Sequence, residues 1–228
     1  SWKINLFEDA FDKLEKDDGI LTLSSFGNFG IQYSHLFAPR YLRSRLIPSD
    51  SEGDKKYGTS DLPFNRVEID SPNHSPIIGW AYDGNPIYGP YGYSDPENFN
   101  SVPKILTPGY ILNTSNVVDR PQFPAGFFVE DYQYNNSGDL DENNGRFCIT
   151  PDYPNGTYAY FATIDDSLAQ GQGSVFSGYK LPVFPYLLGE AYHSKPEPFN
   201  FNTESNQDAF KIEEFDYCRS TDPYNLID

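Results

Sequence analysis

Two groups of side chains in this sequence have the types and spacing to do chemistry. In GDLDENNGR, Asp139, Asp141 and Asn143 stand at alternate positions ahead of Asn144-Gly145. Oxygen ligands at steps of two before a tight turn are what a calcium loop supplies, because a hard cation takes carboxylate and amide oxygens. The fit to a helix–loop–helix calcium loop is partial: Gly145 falls at the seventh place rather than the sixth, and Thr150 rather than glutamate at the twelfth. The same residues make an Asx-rich turn without any ion, since Asp and Asn bond their own backbone. The second group lies in HSPIIGWAYDGNPIYGPYGY, where His74 and Asp83 share one segment with Tyr88. A histidine with a carboxylate can move protons or bind a metal. Asp83 serves equally as the cap of its own turn, Asp83-Gly84-Asn85-Pro86. His74, Asp83 and Tyr88 are therefore candidate ligand-binding or scaffold residues. The three histidines, His35, His74 and His193, are widely separated and show no HxH or HExxH spacing, so a transition-metal site would need all three to converge. No GxSxG, CxxC or phosphate-binding loop is present. The residues alone thus read as non-enzymatic, with no cofactor beyond the candidate calcium.

The elements that must position these groups carry many turns. Residues 74–93 hold four glycines, three prolines and four tyrosines beside Trp80. Gly and Pro interrupt regular ladders, yet a disordered linker would not hold so many rings. The segment reads as a surface shaped by turns and packed by Trp80, Tyr82, Tyr88, Tyr91 and Tyr93. Such rings stack on sugars or protein where exposed and form core where buried. GFFVEDYQY (residues 126–134) and GTYAYFATID (residues 156–165) read as strands, and LPVFPYLLG as a short edge strand flanked by prolines. ILTLSSFGNFGIQY reads as one or two strands with a turn, and RVEI as a short strand. Arg40, Arg43 and Arg45 form the basic cluster, expected to pair with carboxylates of the same chain.

Composition sets the class. Aromatics make up 17% of 228 residues, with Pro 19 and Gly 18, which points to a mainly β chain with long loops. Trp2, Leu6, Phe7, Ala10, Phe11 and Leu14 recur at helical steps and predict a short N-terminal helix. Residues 1–19 are assigned to that amphipathic helix or connector, 20–190 to one β-rich domain and 191–228 to an extended acidic arm. Residues 197–228 hold eight acids against two bases, with scattered Phe and Tyr expected to gain order by packing. The net charge of −17 argues against binding nucleic acid or an anionic membrane. No apolar run approaches the roughly 18 residues of a membrane span. Cys148 and Cys218 imply no disulfide framework; one bridge and two buried thiols both fit. Methionine is absent, as expected of a processed product or a piece of a longer polypeptide.

Four blocks in order, IIGWAYDGNPIYGPYGY, GFFVEDYQY, GDLDENNGRFCITPDYPNGTYAYF and FPY, resemble the YHYH-domain family over residues 74–190. The form of the first block, with NGTYAYFAT, also resembles the YHYH segments of large structural proteins of cyanophages. The family's naming run lies upstream, where GIQYSHL keeps His35; Ala159 stands at a family histidine and Asn143 at a family cysteine. The resemblance implies a structural or binding module of a phage virion or tail-like protein, assembled in the host cytoplasm. Its implied partners are other virion subunits, in an oligomer. The alternative it implies is an extracellular bacterial protein that binds carbohydrate or a divalent cation.

Overall fold

A computed structural model describes residues 3–5, 7, 19–23, 31–39, 42–43, 73–115, 122–165 and 181–196. The architecture is mainly β. Strands β1 (Gly19–Leu23) and β2 (Ile31–His35) pair antiparallel, as the Gly-broken alternation there predicts. The central sheet has the order β3 (Ile77–Trp80), β4 (Pro86–Tyr88), β10 (Thr157–Phe161), β9 (Gly145–Cys148). β10 is the aromatic TYAYF run, whose alternating rings suit a strand buried on both sides. It pairs parallel with β4 and antiparallel with β9. Two small ribbons flank this sheet: β5 (Tyr91–Tyr93) with β6 (Pro103–Ile105), and β7 (Tyr110–Leu112) with β8 (Tyr132–Tyr134).

Two turns aim the polar residues. Between β3 and β4, Ala81 N–H donates to Asn85 O at 2.9 Å and Gly84 sits at φ 83°, a conformation that a side chain would strain. Ahead of β9, Asn144 N–H donates to Asp141 O at 3.0 Å and Asn144 itself takes φ 65°. A Cβ on the next residue, Gly145, would collide with the Tyr158 hydroxyl, so glycine is required for that close approach.

Register divides the sheet's side chains between two faces. Tyr88, Ala159, Phe161 and Cys148 join Leu106 and Leu140 in one cluster, the inner face. Tyr158 and Tyr160 join Ala81, with Ile87, Leu188 and Tyr192 packed against them, on the outer face. Burying rings of this size contributes about 1.5–3 kcal/mol each, before the cost of ordering them.

Several expected elements differ. Within GFFVEDYQY only Tyr132–Tyr134 is strand; Val129–Asp131 is a 3-10 turn. The buried Asp131 carboxylate accepts N–H bonds from Gly126 (2.9 Å) and Phe128 (3.3 Å), which curls the segment, and Gly126 lies at φ 93°. LPVFPYLLG contributes a single bridge, Ile164 to Pro182, and then turns, with Phe184-Pro185 cis and Tyr186 at φ 74°. Residues 3–5, expected to open a helix, run extended: Ile4 bridges Phe128, while buried Asn5 donates to Gly126 O and accepts from the Tyr186 hydroxyl at 2.6 Å. Phe7 packs on Phe37 and Tyr186. Of the basic cluster, Arg43 is buried, its Nη2 donating to Ala38 O at 3.3 Å. The rest of that cluster, the rest of the expected N-terminal helix, RVEI and residues 197–228 lie outside the described residues.

Candidate functional site

On the outer face two tyrosines of β10, two residues apart, each end on an aspartate from a different loop. Tyr158 donates to both oxygens of Asp141, at 2.9 Å each. Tyr160 donates to Asp83 Oδ2 at 2.7 Å. Asp83 also accepts from Asn85 N–H (3.2 Å), Asn85 Nδ2 (2.8 Å) and Ser194 N–H (3.1 Å). Partial burial works to raise its pKa, but the bonds from Tyr160, Ser194 and Asn85 outweigh it and hold the carboxyl below its usual value. The phenols of Tyr158 and Tyr160 are pushed up, first by burial and then by the aspartates they bond. Tyr160 oxygen in turn accepts His193 N–H at 2.7 Å, and the His193 ring lies flat on Tyr158 with centroids 3.6 Å apart. Asp83 therefore caps its turn, as the Asx reading expects, and also fastens residues 193–194 to the sheet.

On the inner face His74 is boxed by Tyr88, Tyr93 and Phe161, with ring centroids 5.0, 4.9 and 5.8 Å away. Its Nδ1 lies 2.8 Å from Ser75 O, so Nδ1 carries the proton of the neutral ring and Nε2 keeps a lone pair. Nε2 is buried with no partner. Burial, with the nearby Arg146 charge opposing a second cation, lowers the His74 pKa to about 4 despite the Ser75 bond. His74 is therefore neutral at physiological pH. Arg146 donates to Tyr93 O and lies 5.6 Å over the Phe161 ring, while its Nε is buried without a partner. Tyr88 donates to Asp152 Oδ2 at 2.9 Å and so accepts from the Thr150 hydroxyl, also at 2.9 Å. Burial raises its phenol well above the usual range. Cys148 is a free, buried thiol with its pKa raised by burial, which keeps it from acting as a ready nucleophile.

The structure thus separates His74 from Asp83: they lie on opposite faces and share no partner. The Tyr88 hydroxyl reaches Asp152 and Thr150, while its ring packs edge-on against the imidazole. The three calcium-loop candidates are also divided among different tasks. Asp139 accepts from Lys104 Nζ (2.7 Å), Thr107 N–H (2.9 Å) and the Thr107 hydroxyl (2.8 Å). Burial raises its pKa, but Lys104 and Thr107 prevail and lower it. Asp141 accepts from Tyr158 and from Asn143 and Gly145 N–H groups at 2.9 and 3.1 Å. Asn143 enters through its backbone N–H, and its side-chain amide also bonds the Tyr158 hydroxyl. The alternation thus serves an Asx turn plus two loop anchors. Among the described residues no three His, Cys, Asp or Glu side chains converge where a metal could sit. His35 stands in β2 against Tyr33, centroids 5.2 Å apart.

The partners Tyr158, Tyr160, Arg146 and Asp152 were not singled out in the sequence, while His193 was weighed only as a metal ligand and Thr150 only as the twelfth place of a calcium loop. One signal was legible: tyrosines at i and i+2 of a strand share a face. Nothing local marks which loops supply their acceptors. Cys148 is unpaired, and Cys218 lies outside the described residues.

No helix among the described residues is long and apolar enough to cross a membrane. No curated protein and no solved structure matches the chain. Residues 47–172 match the family described as YHYH protein, a span that starts earlier and stops sooner than the four blocks suggest and leaves His35 outside it. It takes in His74, Tyr88, both Tyr–Asp pairs and the Arg146 cluster. Covering more than half of the 228 residues, the match establishes that the chain belongs to the YHYH family.

Proposed function

We propose that this chain is a non-enzymatic structural and binding module of a phage virion or tail-like protein, assembled in the host cytoplasm with other structural subunits. The observation that carries the reading is the use made of Asp83. Asp83 accepts four hydrogen bonds, from its own turn, from β10 and from residue 194, so it acts as a fastener and offers no free base to a substrate. The His74 lone pair is sealed among rings, and Cys148 is a buried thiol with a raised pKa. The charge of −17 favours solubility at high copy density and disfavours nucleic acid as the partner. Intact particles purified through a density gradient should contain peptides of this chain by mass spectrometry. Recovery of those peptides only from the secreted soluble fraction would overturn the assignment.

A second reading, an extracellular carbohydrate-binding protein, draws on a specific observation. Trp80 and Tyr82 are 59% and 54% exposed beside the β3–β4 turn. Flat rings in that setting stack on sugars. Oligosaccharide titration should then quench indole fluorescence saturably, with the change abolished in Trp80→Ala. A flat titration across a glycan panel removes this alternative.

A further inference from the structure

We propose that the paired rings of Tyr82 and Tyr192, with the Asp83 carboxylate beside them, form an aromatic corner that binds an alkylammonium group. The inference goes beyond both readings above and depends on neither.

The two rings meet at nearly a right angle. Their planes cross at 81° with centroids 6.3 Å apart. Other crossed pairs on this face sit closer: Tyr158 to Tyr160 at 5.2 Å and Phe147 to Tyr158 at 5.5 Å. A cation is drawn to the negative face of a ring within about 6 Å of its centre. Two faces at a right angle, each about 4.5 Å from one shared cation, put their centroids about 6.4 Å apart. The Tyr82–Tyr192 separation is close to that value.

Both walls are fixed and reachable. Tyr82 is 54% exposed and opens the β3–β4 turn, where Gly84 N–H donates to Ala81 O at 2.9 Å. Tyr192 is half-buried against Ala81, Tyr158 and Tyr160. The two residues after it are pinned by their N–H groups to the Tyr160 oxygen and to Asp83. Rings held this way have little freedom left to lose when a ligand arrives.

Charge selects the ligand. All four hydrogen bonds to Asp83 come from neutral donors: the Tyr160 hydroxyl, Ser194 N–H, and the backbone and side-chain N–H groups of Asn85. They hold its carboxyl in the charged form without cancelling that charge. Burial first, and then Tyr82 and the Asp83 charge, raise the Tyr192 phenol, so the field of the carboxylate reaches the ring pair. The net charge of −17 adds a long-range attraction for cations. An ammonium that carries carbon substituents suits the corner, since its apolar surface covers the rings while its charge meets their faces and the carboxylate.

Titration of the full chain with choline chloride tests this, read by the ring-current shift of the choline N-methyl protons. Those protons should move upfield and saturate. The neutral carbon analogue of choline, with a tert-butyl group in place of the trimethylammonium group, has the same shape without the charge and should bind several-fold more weakly. Tyr82→Ala, at an exposed position, should abolish the saturable shift. Tyr82→Trp should keep or tighten binding, because indole offers a cation the best face. A second probe, Nα-acetyl-lysine amide, identifies the source of the group. Tighter binding than choline marks a lysine side chain of a partner protein, and weaker binding marks a quaternary ammonium. Equal binding of the neutral analogue, or choline binding unchanged in Tyr82→Ala, overturns the aromatic corner. So does the absence of a saturable shift with both ammonium probes.

Discussion

On the outer face of the central sheet the phenols of Tyr158 and Tyr160 each end on an aspartate, and each aspartate holds a loop. On the inner face Tyr88 reaches Asp152 at the rim, while His74 Nε2 and Arg146 Nε end on no partner. The difference follows from solvent. Near water a carboxylate can collect several N–H and O–H donors, which together outweigh the cost of its partial burial and keep it charged. Beneath the sheet an ionised group costs far more, and His74 is tolerated there as a neutral ring. The outer face behaves as a fastening surface, the inner face as a packed core with a few polar atoms trapped in it.

The largest test of that contrast compares two phenylalanines on adjacent strands. Phe161 is fully buried, stacked on Tyr88 at 5.6 Å with Arg146 over its ring. Phe161→Ala should cost about 3–5 kcal/mol through lost burial and a cavity. Phe147→Ala on the outer face should stay within about 0.5 kcal/mol, as an exposed ring does. Urea unfolding midpoints give both values, and equal losses would mean the faces do not differ as described.

Acid should find the inner face first. The folded pKa of His74 is about 4 against an ordinary 6.5. Between those values the unfolded chain binds a proton there that the folded chain refuses, so stability falls as pH drops from about 6.5 to 4 and then levels. A gap of that size corresponds to roughly 3 kcal/mol. His74→Phe should flatten the pH dependence in this window, whatever it does to stability at neutral pH. An unchanged slope in that variant would assign the acid sensitivity elsewhere.

The outer face should respond less and at lower pH. Asp83 has its carboxyl held below the ordinary 3.8, so the stability it supplies is present above that value and is lost as pH falls through the lower, folded one. Asp83→Ala should cost about 2 kcal/mol, from hydrogen-bond donors left without their acceptor. Amide hydrogen exchange locates the loss: the Ser194 and Asn85 N–H groups should lose protection while β9 keeps its own. Uniform loss across the sheet would make Asp83 part of the global core rather than a local fastener.

Much of this architecture was legible where local rules act alone. The β1–β2 hairpin, the TYAYF strand and the turn-capping role of Asp83 follow from alternation, aromatic content and Asx chemistry. The failures occur where a distant group overrides the local pattern. GFFVEDYQY has strand composition, yet buried Asp131 draws Gly126 and Phe128 inward and the run curls. His74 and Asp83 are nine residues apart in sequence, but β3 runs between them and they end on opposite faces of the sheet. The Tyr158–Asp141 and Tyr160–Asp83 pairs span 17 and 77 positions, beyond any spacing rule.

The smallest expected effect concerns GDLDENNGR. The alternation of Asp139, Asp141 and Asn143 is the pattern of a calcium loop, but a cation needs those oxygens aimed at one point. Here Asp139 turns to Lys104 and Thr107, and Asp141 turns to Tyr158 and the N–H groups of its own turn. Binding calcium would require breaking a Lys104–Asp139 contact and several hydrogen bonds before any ligand could be gained. Since a ligand of the folded state raises the melting temperature by mass action, millimolar calcium and EDTA should give superimposable melting curves. A rise with calcium that disappears in Asp141→Ala would show that the loop can reorganise around an ion, and the outer-face carboxylates would then be ligands held in reserve rather than fasteners.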